Sequence, residues 1–359
     1  MSAANAVDSR TPARVAIVGT GAWGTTLALL VARAEPVVLL ARTAAGADRI
    51  AGEHRSPHLP DIELPAAVRV SRDASVLDAA ELVIVAVPSA HVREQAERLA
   101  PYLSREADVL SATKGLEPGS LLRMTEVLGE VLDRPPDRVA ALSGPNLAPE
   151  IAAGLPASAV VAAASDELAD RIVHRLGRRE FRLYTNTDVL GVELCGALKN
   201  VVAIAAGAAD GLGFGDNGKA GLITRGLAEM TRLGIAMGAN PLTFAGLAGV
   251  GDVIATCGSG LSRNHRLGEE LARGRSWPDI EATLGGTAEG AYTVDAALAL
   301  ADRHGVELPI AREVHNALFE GKSVRRCLVD LLARESKDEL ADFERWLSRL
   351  SADRPAPLG

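Results

Sequence analysis

Residues 14–41 constrain the fold most tightly. Arg14 to Val18 is a short β-branched run that meets Gly19-Thr20-Gly21-Ala22-Trp23-Gly24. An apolar helical stretch follows from Thr25 to Ala34, and Pro36 to Ala41 then gives a second strand. Strand, glycine turn, helix and strand within about 30 residues is the length that a right-handed parallel crossover needs. In that context a GxGxxG turn reads as a dinucleotide site. Gly19 permits the tight turn, Gly21 lets the backbone approach a pyrophosphate, and Gly24 lets the helix pack closely on the sheet. The first N–H groups of the helix have no partner within it and suit an anion. Trp23 either packs the helix on the sheet or covers the dinucleotide. At the end of the second strand, where an acidic residue would hold an adenosine 2′-hydroxyl, stands Arg42, followed by Thr43. Arginine there suits a 2′-phosphate and so NADP(H); stacked on adenine, it would also accept NAD(H).

Short apolar strands keep alternating with helices beyond this unit. Strands are expected at 68–70, 82–87, 109–111, 139–142, 159–163 and 181–184, with helices near 89–100, 120–132, 147–153 and 166–177. This alternation makes residues 14–187 an α/β, doubly wound, Rossmann-like domain. From Asp188 the strand signal stops, and helical periodicity runs to about Leu350. Glycine-rich stretches at 211–218, 246–262 and 285–290 read as loops. Residues 188–350 are thus expected to form an all-α substrate and catalytic domain. Residues 1–13 read as a disordered leader and 351–359 as a loose tail.

Bulk properties exclude several classes of function. A length of 359 residues favours two domains, and a net charge of −8 opposes general binding to phosphate backbones. With aromatics at 3%, few side chains can stack on bases, so no nucleic-acid partner is expected. Cys195, Cys257 and Cys327 are odd in number, far apart and not in metal spacing, which indicates a reducing compartment such as the cytoplasm. The first dozen residues show no secretory pattern. One uncharged run, Leu233 to Gly251, is long enough to cross a membrane. It contains Asn240-Pro241 and five glycines and is read instead as a helix end and a buried loop, so no stable membrane insertion is expected.

The candidate chemistry centres on 193–209, an apolar helical stretch with one cation, Lys199. Its helix face carries Val192, Cys195, Gly196, Val202 and Ala203. A lysine there is either desolvated, with a lowered pKa suited to proton transfer, or snorkels to the protein edge. Other candidates lie just past strand ends, where ligands bind in such sheets. Pro88-Ser89 starts a helix and is at least as readily plain punctuation. Lys114-Gly115 suits a cation held close to an anionic ligand. Ser143-Gly144-Pro145-Asn146 exposes backbone N–H groups, or Asn146 simply caps a helix. Asp252, in a glycine-rich and otherwise uncharged stretch, needs a partner if buried, and Lys199 is the expected one. Arg263 can fork onto phosphate oxygens, flanked by Ser262 and Asn264. Glu289 stands among small residues.

Seven segments carry a resemblance to a known family: GTGAWG (19–24), ATKGLE (112–117), SGPNLAPEIA (143–152), ELCGALKNVVAIAAG (193–207), GDNGKAGLITRGLAEM (215–230), GLAGVGDVIATCGSGLSRN (246–264) and AEGAYT (288–293). In order and spacing, from about 14 to 345, they resemble NAD(P)-dependent glycerol-3-phosphate dehydrogenase of the bacterial type. The resemblance implies reversible reduction of dihydroxyacetone phosphate to sn-glycerol 3-phosphate, the precursor of the glycerophospholipid backbone, by a homodimer. It implies that Lys199 is the catalytic acid/base and that Lys114 contacts substrate and cofactor. Gly144 and Asn146 would line the substrate pocket. Asp252 would hold Lys199, with Thr256 nearby. Ser262, Arg263 and Asn264 would take the phosphate, Arg263 also reaching the cofactor. Ala22, Trp23, Arg42, Ala148 and Glu289 would fall on the dinucleotide, and no metal is implied. Asn146 departs from a usual serine or threonine, Gly218 and Gly221 from frequent alanines, and Thr287 from an aliphatic residue. Two other readings are a related β-hydroxyacid or ketopantoate-type dehydrogenase and a catalytically silent nicotinamide-binding sensor. The first lacks a use for Ser262-Arg263-Asn264; the second would be expected to lack Lys199 or Asp252.

Overall fold

The structure, a computed structural model, describes residues 13–334, so residues 1–12 of the expected leader, the stretch 335–350 and the tail lie outside the described residues, while Ala13 is buried. The strands are β1 (Val15–Val18), β2 (Val37–Leu40), β3 (Arg55–Ser56), β4 (Leu59–Glu63) and β5 (Val68–Ser71). They continue with β6 (Leu82–Val85), β7 (Asp108–Ser111), β8 (Val139–Ser143), β9 (Ala157–Ala162) and β10 (Phe181–Asn186). Eight of them form one sheet in the order β10-β9-β8-β7-β6-β1-β2-β5. Between them lie α1 (Ala22–Ala32), α2 (Ala44–Glu53), α3 (Val92–Leu99), α4 (Met124–Val131), α5 (Ala148–Ala152) and α6 (Asp166–Leu176).

The central strands β1, β2, β6 and β7 are buried at every position, as strands covered on both faces must be. Val15 and Ile17 join the core under α1, while Ala16 and Val18 join the core on the opposite face with Val83 and Val85. This is the period of two that a pleated strand imposes.

Two features of the sheet differ from the sequence expectation. β9 pairs antiparallel with β8, so β9 and β10 run against the other six strands. The link from β8 to β9 contains only the five-residue α5, which at 1.5 Å per residue covers about 8 Å, half the length of the strand it would have to retrace. The segment between β2 and β5 also holds α2, capped by the Thr43 side chain, and the small hairpin β3–β4.

Helices follow from Val189 on: α7 (Val189–Gly211), α8 (Gly215–Met237), α9 (Pro241–Phe244), α10 (Asp252–Gly258) and α11 (Arg263–Ala272). Then come α12 (Trp277–Glu281), α13 (Glu289–His304), α14 (Pro309–Phe319) and α15 (Val324–Leu332). Asp188 starts α7 by accepting from the Gly191 N–H at 2.9 Å. The same carboxylate accepts from the Asn240 N–H and the Thr243 hydroxyl, which fixes α9 beside the start of α7.

α7 is long and apolar enough to cross a membrane, yet 83% of that stretch is buried inside the protein, as befits a core helix. α11 crosses it at backbone contact. A Cβ on Gly207 would stand 1.9 Å from the His265 carbonyl oxygen, and one on Gly268 would stand 1.9 Å from that of Ile204.

The expected loops at 211–218 and 246–262 are largely helical. α8 already begins at Gly215, and Leu247–Gly251 forms a π-helical turn that runs directly into α10. The run 233–251 is accordingly the end of α8, α9 and this turn rather than a buried loop. Glycine content misled here because burial against α7 and β9, rather than local propensity, holds these turns.

Candidate active site

The π-helical turn delivers Asp252 to the first position of α10, 1% exposed, between two lysines from different parts of the chain. Lys199, from the middle of α7 and 7% exposed, places Nζ 3.0 Å from Asp252 Oδ1. It also donates to Thr256 Oγ1 at 2.6 Å, and that hydroxyl donates to Asp252 Oδ1 at 3.1 Å. Lys114, in the turn after β7, places Nζ 2.5 Å from Asp252 Oδ2 and donates to the Gly144 carbonyl at 2.8 Å. Lys199 is therefore a core residue rather than a snorkelling one. Asp252 is its partner, and Lys114 and Gly144 belong to the same group. An ammonium has three donors, so each lysine keeps one N–H for another partner.

Two ammoniums on one carboxylate leave a local excess of positive charge in a place with little water. Burial pushes the Asp252 carboxyl up, but Lys114 and Lys199 outweigh it and hold the group below the usual carboxylate range. Burial lowers the Lys114 ammonium to about 8; Asp252 opposes that shift and Lys199 adds to it. Such a site stabilises negative charge developing on an oxygen atom. A Cβ at Gly196, one turn before Lys199, would come within 2.8 Å of Ser143 Oγ and 3.4 Å of Lys114 Cγ, so this glycine leaves the channel through which Lys114 reaches the carboxylate.

The glycine turn fits a dinucleotide. Gly19 has φ +115, and a Cβ there would sit 2.4 Å from the Ala86 carbonyl oxygen. A Cβ at Gly24 would sit 2.0 Å from the Gly19 oxygen, whereas Gly21 has nothing within 4 Å, as backbone that meets a ligand should. No side chain caps α1 and its first turn has no acidic residue, so its N–H groups suit a pyrophosphate. Ala22 and Trp23 start that helix, and Ala148 starts the adjacent α5, its carbonyl accepting from the Thr26 hydroxyl. Trp23 meets Phe181 of β10 edge-on, with centroids 6.3 Å apart, a contact that serves the first of the two roles expected for it, packing. Its buried Nε1 has no partner among the described residues. Arg42 stands exposed just beyond β2.

The residues expected around a phosphate divide into presenting and supporting groups. Arg263, at the start of α11, is exposed, and its side chain takes part in no hydrogen bond among the described residues. Ser262 caps α11 by accepting from the His265 N–H at 3.2 Å. Asn264 is turned inward: its Nδ2 donates to Asn200 Oδ1 and its Oδ1 accepts from the Gly290 N–H, both at 2.9 Å, which ties α11 to α7 and α13. Asn146 does not cap α5, whose N-cap is Leu147. Both polar atoms of its amide are buried and unpartnered, the condition of a group awaiting a ligand. Glu289 opens α13 with its carboxylate on Ser89.

Sequence reasoning missed Asn200 and the clamp in which buried Glu193 accepts from Arg123 Nη1 at 2.8 Å and from the Thr125 N–H at 2.9 Å. The available signals were an acid in an apolar helix and a polar amide next to Lys199.

A dehydrogenase that joins a dinucleotide-binding sheet to an all-helical domain is the class this architecture defines. Residues 14–169 match the family described as NAD-dependent glycerol-3-phosphate dehydrogenase N-terminus, and residues 188–329 match the corresponding C-terminus. A glycerol-3-phosphate dehydrogenase [NAD(P)+] of Streptomyces avermitilis is 47% identical over 332 residues, 92% of this chain and 99% of that protein. One from Desulfitobacterium hafniense is 43% identical over 92% of this chain and 94% of that protein. The crystal structure of glycerol-3-phosphate dehydrogenase from Coxiella burnetii superimposes with a TM-score of 0.86 at 37% identity, covering 90% of this chain and 99% of that one. The chain belongs to the NAD-dependent glycerol-3-phosphate dehydrogenase family. A ketopantoate reductase from Ralstonia eutropha, at 19% identity and a TM-score of 0.57, shares only the fold, and that alternative is not favoured.

Proposed function

We propose that this protein reversibly reduces dihydroxyacetone phosphate to sn-glycerol 3-phosphate with NAD(H) or NADP(H), and that Lys199 is the proton donor and acceptor. The supporting observation is the Asp252 carboxylate shared by Lys199 and Lys114 at 3.0 and 2.5 Å. The dinucleotide, when bound, supplies the hydride. The chain's own part is to bind, orient and protonate. The uncommitted N–H of Lys199 meets the carbonyl oxygen as negative charge builds there and passes it a proton. Asp252 and Thr256 fix the amine's other two N–H groups, so little reorganisation is needed when the proton moves. Solvent then reprotonates the amine. Lys114, held by Asp252 and Gly144, lends a second positive charge to the same oxygen. Arg263 grips the phosphate with Ser262 beside it, and Asn146 offers its amide to the substrate. Binding a phosphate away from the reacting carbon orients a small substrate.

Gly19, Gly21, Ala22, Trp23, Gly24, Arg42, Ala148 and Glu289 surround the cofactor in this reading. Division at residue 187 into cofactor and catalytic domains, a homodimer, a cytoplasmic location and supply of glycerophospholipid synthesis complete it. The direct test follows nicotinamide absorbance with dihydroxyacetone phosphate, NADH and NADPH in parallel, against ketopantoate. Oxidation with dihydroxyacetone phosphate alone is expected. No oxidation, or equal rates with the unphosphorylated keto acid, refutes the assignment.

A further inference from the structure

Ser89 has no task in the mechanism above. It opens the 3-10 turn Ser89–His91 after β6, at the carboxyl end of the sheet, and is 2% exposed. Its hydroxyl donates to Glu289 Oε2 at 2.6 Å, and its backbone N–H donates to Glu289 Oε1 at 3.3 Å. Glu289 starts α13, so these bonds run between the sheet and the helical part of the protein. A third segment closes on the pair. A Cβ at Gly115, the residue after Lys114, would stand 2.6 Å from Ser89 Cβ, 2.7 Å from its Oγ and 3.2 Å from Glu289 Oε2. Bare backbone is therefore what lets the Lys114 turn lie against the hydroxyl and the carboxylate.

We propose that Ser89 is a positioning residue that holds the Glu289 carboxylate between sheet and helices and, through contact with Gly115, seats the Lys114 turn beside the bound cofactor. This rests on the dehydrogenase reading and on Glu289 lying at the dinucleotide. Docking of the cofactor against Glu289 and placement of the Lys114 ammonium then depend on one buried hydroxyl. The titratable groups facing Glu289 are Arg263 from α11 and His91 from the turn of Ser89 itself. Burial raises the Glu289 carboxyl above its ordinary range, and both bonds from Ser89, with the nearby Arg263 guanidinium, oppose that rise. Loss of the hydroxyl leaves the carboxyl easier to protonate.

The test uses the full chain with Ser89→Ala, Gly115→Ala, the double substitution and Ser89→Thr, each checked for native far-UV circular dichroism. NADPH affinity is read by nicotinamide fluorescence from acidic to mildly alkaline pH, without turnover. S89A is expected to weaken binding by about tenfold, the size of a hydrogen bond to a charged group, and to move the acid limb of the binding profile to higher pH. G115A, with the hydroxyl intact but displaced, should lose a similar factor, and the double variant little more than either single one. S89T, which keeps a hydroxyl, should regain much of the affinity. An unchanged Kd and acid limb in folded S89A overturns the proposal, as does strict additivity of the two losses. Should S89A not fold, native affinity in G115A overturns it equally. Failure of the wild-type protein to reduce dihydroxyacetone phosphate would instead sink the activity assignment and leave these binding readouts standing.

Discussion

Replacing Asp252 by asparagine removes the one negative charge between two buried ammoniums while keeping the shape of the side chain. At an effective dielectric constant of about 20, a contact at 3.0 Å is worth about 5.5 kcal/mol of gross attraction and one at 2.5 Å about 6.6 kcal/mol. Most of this is offset by desolvation of the three groups and by repulsion between the lysines. Removing one partner from a buried pair typically leaves a net loss of about 3–5 kcal/mol. Asp252 also holds the Lys114 ammonium up against burial, which already lowers it to about 8. In D252N that support vanishes, so Lys114 loses its proton at lower pH and the alkaline limb of the kcat/KM profile moves downward. Urea unfolding at neutral pH should show the destabilisation, and nicotinamide absorbance should show a fall in kcat of at least about a hundredfold, since acid–base placement is lost along with charge. A variant within about 0.5 kcal/mol of wild-type stability, inside the range of ordinary surface substitutions, and with an unmoved alkaline limb would refute the coupling of these three residues.

Lys199→Ala is expected to lower kcat by about 10²–10⁴ with NADPH affinity unchanged, and unaltered turnover would rule out its role as proton donor. Arg263→Ala should raise KM for dihydroxyacetone phosphate by about tenfold or more, the size of a charge-assisted contact; an effect on kcat alone would speak against a phosphate contact. Arg42→Asp should shift preference from NADPH towards NADH, and an unaltered ratio of the two kcat/KM values would exclude contact with a 2′-phosphate. Glu229 caps α14 by accepting from the Ile310 N–H at 2.8 Å, and burial pushes its carboxyl from 4.5 up to about 7. The folded protein thus binds this proton more tightly than the unfolded chain, so stability falls by about 3 kcal/mol as pH rises between those values. Glu229→Gln should flatten that dependence and raise the urea midpoint above pH 7; parallel pH curves for the two proteins would contradict this.

The contrast between α7 and the 246–262 stretch shows where local pattern suffices. α7 is legible because small and aliphatic residues make up most of its six turns, and its single cation stands out at once. The π-helical turn and α10 are not, because four glycines in thirteen residues from Gly246 to Gly258 have poor intrinsic helix propensity and are held by what they pack against. Asn264 teaches a similar lesson. In the sequence it stands beside Arg263 as a further polar group, and only the packing of α11 on α7 ties its amide to Asn200 and Gly290.

The sequence by itself determined the alternation of strands and helices, the glycine turn after β1 and the presence of a lysine in an apolar helix. Periodicity and backbone freedom act over a few residues, so they are written locally. Only the tertiary structure decided that β9 runs backwards, that Ser89 reaches Glu289 two hundred positions away, and that Asp252 lies against Lys114 across 138 positions of chain. A buried charge is stable only beside its counter-charge, and which residues become neighbours depends on how whole elements pack, information that no short stretch of chain contains.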